Sequence, residues 1–195
     1  MPHLNGLPGQ DASYPLNIQH PFTYFLQHKE GEKSPWGAVT YGDGFGVYER
    51  STSSLRTRKV FCWGQDSASS KWRDFVSAQS RGEYLELQSG LAPSTEYGIV
   101  MEENSCLSFT QAFGALQVDA GDAGDSSYEI SHAIVRAVLN TVLPADKLYK
   151  QAEYFHSLAS LSCTKVLYSG YGWGVLESLR RRAENSPSQA DQPVW

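Results

Sequence analysis

From Phe22 to Phe113 the chain alternates short apolar stretches with Gly, Ser, Asp and Pro. Short apolar or alternating runs bounded by turn formers are the pattern of strands. The pattern predicts strands at Phe22–Gln27, Trp36–Thr40, Gly46–Glu49, Lys59–Trp63, Tyr84–Gln88, Glu96–Met101 and Cys106–Phe113. Turn signals such as Tyr41-Gly42-Asp43-Gly44 favour antiparallel pairing. A short helical turn is predicted at Lys71–Ala78, where Trp72, Phe75 and Val76 share a face. The period then changes. Ile130, Ile134, Val135, Val138, Leu139 and Val142 recur at helical spacing, with Ser126 or Ser127 placed to cap the start and Pro144 to end it. A second helix is predicted at Ala145–Ser160, with Leu148, Ala152, Phe155 and Ala159 as its stripe. A glycine-rich turn at 170–174 permits a tight reversal, with Trp173 filling the core, and leads into a last helix at Val175–Arg182.

These elements predict a mostly β chain with C-terminal helices. The expected division is an irregular Pro- and Gly-bearing segment at 1–20, a β-sandwich portion at 21–118, an acidic linker at 119–127, a helical extension at 128–182 and a disordered tail at 183–195. No internal repeat runs through it.

Composition narrows the function. Hydrophobic residues are 41% of the chain, enough for a core, and the net charge is −5. A nucleic-acid partner calls for a basic stripe, and none is present. Arg180, Arg181 and Arg182 read as the last turn of a helix. Arg56, Arg58 and Lys59, alternating with Thr57, read as a solvated strand edge. Cys62, Cys106 and Cys163 are odd in number and widely spaced, which fits thiols in a reducing compartment and a cytoplasmic location. No apolar run is long enough to span a membrane. The run Asp119–Ser127 lacks the ligand order of a calcium loop. No His pair has metal-ligand spacing, and no phosphate-binding glycine loop or nucleophile elbow occurs, so no metal or cofactor is expected.

The chemistry concentrates in Tyr84-Leu85-Glu86-Leu87-Gln88. Alternation puts the leucines on one face of a strand and Tyr84, Glu86 and Gln88 on the other. A ring, a carboxylate and an amide in a row suit a sugar, whose C–H face stacks on the ring while its hydroxyls meet the polar groups. The same row also fits an ordinary exposed face without a ligand. Glycoside hydrolysis asks for a second carboxylate. Glu83 points to the leucine face, and Glu96 is the nearest alternative.

A wider series is present. Arg58-Lys59-Val60-Phe61-Cys62-Trp63-Gly64, Trp72-Arg73-Asp74-Phe75, Tyr84-Leu85-Glu86-Leu87-Gln88-Ser89-Gly90-Leu91-Ala92 and Phe109-Thr110-Gln111-Ala112-Phe113-Gly114 follow one another in order. Together with Asp11-Ala12-Ser13-Tyr14-Pro15, Pro35-Trp36, Ser51-Thr52 and Gly172-Trp173-Gly174-Val175-Leu176-Glu177, the series resembles the domain-of-unknown-function family associated with tetratricopeptide repeats, grouped with galactose-mutarotase-like proteins. The resemblance spans residues 11–182. It implies part of an antiparallel β-supersandwich, the second half only, with a sugar-facing concave surface. It also implies a chain that is a fragment or a partner of another chain. Two family positions differ. Ser94-Thr95-Glu96-Tyr97 stands where the family has Thr-Gln, any residue and Glu, and Gln111 stands where it has a Glu, an amide that cannot act as acid or base.

Three functions follow as expectations. The first is a carbohydrate-recognition domain, a truncated or degenerate member of a carbohydrate-active family. It binds through Tyr84, Glu86, Gln88, Gln111 and Glu96, with Trp63 and Trp72 as stacking platforms. The second is a glycoside hydrolase or aldose-epimerase-like enzyme with Glu86 as its base or nucleophile. The third is a non-catalytic scaffold. The expected partners are a carbohydrate and another protein chain covering open sheet edges, with neither nucleic acid nor membrane.

Overall fold

The computed structural model describes residues 11–77, 84–121 and 127–159, together with 161, 172, 175, 176, 179 and 183. Glu83, Cys163, Trp173, residues 122–126 of the acidic linker and residues 184–195 lie outside the described residues. Most of the helix expected at Val175–Arg182 does too, although Val175, Leu176 and Leu179 are themselves helical.

Among the described residues six antiparallel strands form two three-stranded sheets. The first sheet takes β1 (Phe22–Gln27), β4 (Thr57–Cys62) and β5 (Leu85–Gly90), with β4 central. The second takes β2 (Trp36–Thr40), β3 (Phe45–Ser51) and β6 (Gln111–Gln117), with β3 central. Among the described residues three longer helices join them: α1 (Ser67–Val76), α2 (Tyr128–Val142) and α3 (Ala145–Ala159). No helix among the described residues is long and apolar enough to cross a membrane.

Two expected strands differ. Glu96–Met101 pairs with nothing, and residues 91–110 run as irregular, largely exposed chain between β5 and β6. The last strand starts five residues later and ends four residues beyond Phe113, at Gln111–Gln117 rather than Cys106–Phe113, because β3 dictates it: Ser51 pairs with Gln111 and Phe45 with Gln117. Helix α1 starts earlier than the apolar spacing shows. The Asp66 side chain accepts the Ser69 N–H at 2.7 Å and caps it. Ser127 occupies the N-cap position of α2, but its side chain makes no capping bond.

Each sheet has its own core. On the first sheet Phe22, Tyr24, Val60, Cys62, Leu85 and Leu87 share the inner face, covered in part by Ala12 and Ile18 from the N-terminal segment. That segment, otherwise irregular around a 3-10 turn at Pro15–Asn17, is therefore packed. On the second sheet Tyr48 and Leu116 face Val135 and Leu139 of α2. Full burial of Leu139 contributes about 1.5–3 kcal/mol. Arg50 fixes the far end of α2 by donating to the Leu143 carbonyl at 2.6 Å, a cation at a helix C-terminus. The start of α3 is fixed by the Tyr149 hydroxyl, which donates to the Lys33 carbonyl at 2.7 Å.

The two sheets meet where Gly37 of β2 lies under Leu87 of β5. A Cβ on Gly37 would sit 2.9 Å from a Leu87 methyl carbon. At this junction the inner faces also bring together Glu49 and Ser51 of β3, Arg58 of β4, Ser89 of β5 and Gln111 of β6.

Candidate functional site

Strand β5 pairs with β4 so that Leu85 opposes Cys62, Glu86 opposes Phe61, Leu87 opposes Val60 and Gln88 opposes Lys59. Residues directly opposite share a face. The leucines therefore belong to the core, and Glu86 and Gln88 project from the outer face beside Phe61 and Lys59.

An aromatic row runs along that face. Phe61 meets Trp63 edge-on with centroids 4.9 Å apart. Trp63 stacks on Trp72 at 5.7 Å with only 9° between the planes, and Trp72 meets Phe75 edge-on at 5.8 Å. Offset stacks and edge-to-face contacts are the geometries that ring quadrupoles favour. Trp72 and Phe75 lie on α1, and both remain exposed.

What brings α1 over β4 is the turn at Gly64. Its φ of +83° is open to glycine, and a Cβ there would meet the backbone of Gln19 and His20 at 2.6–2.8 Å. The backbone N–H groups of Gln65 and Asp66 both donate to the Gln19 carbonyl at 2.9 Å. His20 bonds Asp66 at 2.8 Å. The Ser69 N–H and then His20 hold the Asp66 carboxyl down at about 2.

The polar half of the face is organised around Glu86. The Gln88 amide donates to Glu86 Oε2 at 2.7 Å. Burial and then the neighbouring Glu86 carboxylate raise the Tyr84 pKa. Glu86 is half-buried and Gln88 is exposed. Uncharged partners hold the carboxylate while the face stays accessible, an arrangement suited to accepting hydroxyl protons from a neutral ligand.

Five of the expected site residues therefore come together: Tyr84, Glu86, Gln88, Trp63 and Trp72. Two do not. Gln111 lies on the other sheet, and its amide donates to Ser89 Oγ at 2.8 Å on the inner face. Ser89 is three residues from Glu86, and an odd step along a strand reverses the face. Glu96 lies in the exposed chain after β5, where its backbone N–H bonds Ser94 Oγ. It is on no strand that would aim it at Glu86.

The sequence reading missed the other carboxylate. Arg58 is not on a solvated edge. It is 1% exposed, on the central strand of its sheet, and reaches across to Glu49, itself 3% exposed. Arg58 Nη2 donates to Glu49 Oε1 at 3.0 Å and to Ser51 Oγ at 2.8 Å, while Nε lies 2.6 Å from Glu49 Oε2. Nη1 donates to the Leu55 and Thr57 carbonyls at 2.7 and 3.0 Å. Burial pushes the Glu49 carboxyl up, and Arg58, Gln111 and Ser89 oppose that. One signal could have shown the pair: Arg58 shares strand parity with Val60 and Cys62, an apolar face.

Among the described residues no group of three or more His, Cys, Asp or Glu side chains is placed to hold a metal ion. Compared with known proteins, the chain matches no family model, no curated protein and no solved structure.

Proposed function

We propose that the chain is a carbohydrate-recognition domain that binds sugar on the outer face of its first sheet. One observation carries this reading. The Trp63–Trp72 stack and the Tyr84–Glu86–Gln88 row lie side by side on one accessible face. Aromatic rings take the C–H face of a pyranose, and the carboxylate and amide take the hydroxyls at its edge. The two antiparallel sheets, meeting face to face at Gly37 and Leu87, are consistent with part of a galactose-mutarotase-like supersandwich and with the tetratricopeptide-associated family that the sequence resembles. A cytoplasmic location is part of the same proposal.

Recognition is favoured over hydrolysis by the placement of the carboxylates. A glycosidase sets two across the scissile bond. Here Glu49 is committed to Arg58 on the inner side, and Glu96 is in the exposed chain after β5. If the domain is instead an enzyme, Glu86 is its base or nucleophile, and Glu86→Gln abolishes turnover while folding and binding persist.

The test is titration of the purified chain against an array of neutral oligosaccharides, followed by calorimetry on the hits. Tyr84→Ala is expected to weaken binding by tenfold or more with an unchanged circular dichroism spectrum. Full affinity in Tyr84→Ala, or no sugar bound by the wild-type chain, overturns the reading.

A second reading rests on a separate observation. On the second sheet Phe113 is 72% exposed, and Phe45 and Val47 are also exposed on the face that carries Glu49. That part of the sheet, with β2 and β6 as edge strands, offers an apolar surface and open backbone to another protein chain. Monodisperse monomer at high concentration, with no partner recovered by cross-linking, argues against it.

A further inference from the structure

We infer that the ligand of this face is an extended, unbranched, neutral chain of β-linked, gluco-configured sugars, bound along the strand direction through more than one unit. The inference rests on the recognition reading above and specifies its ligand.

The first argument is length. Lys59 and Phe61 project from the same face of β4, with Trp63 against Phe61 one residue past the strand's end, and Glu86 and Gln88 run beside them with Tyr84 just before β5. Four residue steps of strand cover about 13–14 Å, longer than a single pyranose. Trp72 and Phe75 extend the aromatic row beyond the end of the strand. One sugar on this face would leave most of both rows unused.

The second argument is shape. Phe61 on β4, with Trp63 past its end and Trp72 on α1, lines one side of the face, and the polar groups lie along the neighbouring strand, roughly 5 Å away. A ligand that serves both rows presents C–H to one and hydroxyls to the other. A pyranose does this best when every hydroxyl is equatorial, because its faces then carry only axial hydrogens and its hydroxyls lie around the rim. Equatorial–equatorial linkage joins such rings into a flat, straight ribbon. An α-linked chain curls, and it leaves a straight row after its first unit.

The third argument is charge. The polar group at the middle of the row is the Glu86 carboxylate, whose hydrogen-bond partner Gln88 and neighbour Tyr84 are uncharged. The chain as a whole carries −5. A uronic acid or sulfated sugar would bring a like charge to that carboxylate, and the face sets one cation against it, Lys59 opposite Gln88.

The experiment is calorimetry on the intact chain with glucose, cellobiose, cellotriose and cellotetraose, and with maltotriose as the curled isomer. Affinity is expected to rise at least tenfold from glucose to cellotriose, and cellotriose is expected to bind at least tenfold more tightly than maltotriose. Trp72→Ala, at a side chain 53% exposed and so removable without opening a core, is expected to cut the gain from glucose to cellotriose to less than threefold. Equal affinity for glucose and cellotriose, a preference for maltotriose, or an undiminished gain in Trp72→Ala overturns the extended-chain inference. If these sugars fail while an unrelated neutral sugar binds and Tyr84→Ala weakens it, the inference falls and recognition stands. If nothing on the array binds, recognition falls as well.

Discussion

Glu49 and Glu86 lie on opposite sides of the first sheet and show two uses of the same side chain. Glu49 reaches that sheet from its neighbour and is buried against the Arg58 guanidinium, with Ser89 and Gln111 bonded to each other nearby. Glu86 stands on the outer face, half-exposed, bonded by an amide beside a phenol and a row of rings. A carboxyl buried between two sheets stays ionised at small cost only beside a counter-charge, and at 3% exposure it is out of a ligand's reach. A carboxylate at a wet surface needs no counter-charge, so neutral neighbours can aim it while its remaining lone pairs stay open. Charge alone does not separate the structural group from the functional one. The partner's charge and the side of the sheet do.

The largest effect expected from this contrast is on stability. Arg58→Met leaves the Glu49 carboxyl without its counter-charge between the sheets, and breaking a buried pair from one side costs about 3–5 kcal/mol. Replacing both, as Glu49→Leu with Arg58→Met, removes the orphan charge and should restore most of that loss. Glu86→Gln should change stability by less than about 0.5 kcal/mol, as surface substitutions do. Urea unfolding of the four proteins checks the set. An Arg58→Met variant as stable as wild type breaks the contrast, because Glu49 would then not depend on its partner.

Much of this contrast was legible in the sequence, and the part that was not has a physical reason. The period-two alternation from Tyr84 to Gln88 places Glu86 opposite the leucines without any knowledge of neighbouring strands. The bounds of β1 and β2 are equally local. The turn former Gly42 and the charged run His28–Glu30 end them cleanly. Arg58 was misread because its charge outweighed its parity with Val60 and Cys62. Only the second sheet supplies the counter-ion that makes an arginine on that face tolerable, and Glu49 lies nine residues away on a strand of a different sheet. The last strand was displaced for a related reason. Both Cys106–Thr110 and Gln111–Gln117 look strand-like alone, and pairing with β3 decides between them. Gln111 was credited to the Glu86 face on resemblance, but register puts it across the interior. Trp63 and Trp72 were both suspected, yet their stack depends on the left-handed turn at Gly64, a backbone feature that a glycine permits without announcing.

That turn provides the next test, of intermediate size. Gly64→Ala forces an L side chain into a positive-φ position, at a cost of order 1–3 kcal/mol, and sets its Cβ against the His20 and Gln19 backbone. The expected result is a loss of that order in unfolding free energy, together with loss of the exciton-coupled near-ultraviolet signal that two stacked indoles give. The Glu49–Arg58 pair lies elsewhere on β4, so a variant that loses the indole signal while still unfolding cooperatively would separate the outer face from the inner one. Retention of both signal and stability would show that the turn does not position the platform.

The smallest effect is a pH response confined to the outer face. Asp66 caps the helix that carries Trp72, and its carboxyl is held at about 2, below its ordinary 3.8, first by the Ser69 N–H and then by His20. A carboxyl depressed in the folded state contributes stability that is complete above the unfolded value and is lost as pH falls through the folded one. The window therefore runs from near 3.8 down to about 2. Across it the first turn of α1 should fray and the indole signal should fade before the chain unfolds. Other carboxylates titrate in the same range, so Asp66→Asn is the control that isolates the cap. Asparagine still accepts the Ser69 N–H but has no proton to gain. Its indole signal should stay constant between pH 4 and 2 while that of the wild type declines. Matching profiles for the two proteins would mean that the acid sensitivity of the aromatic platform comes from somewhere other than its helix cap.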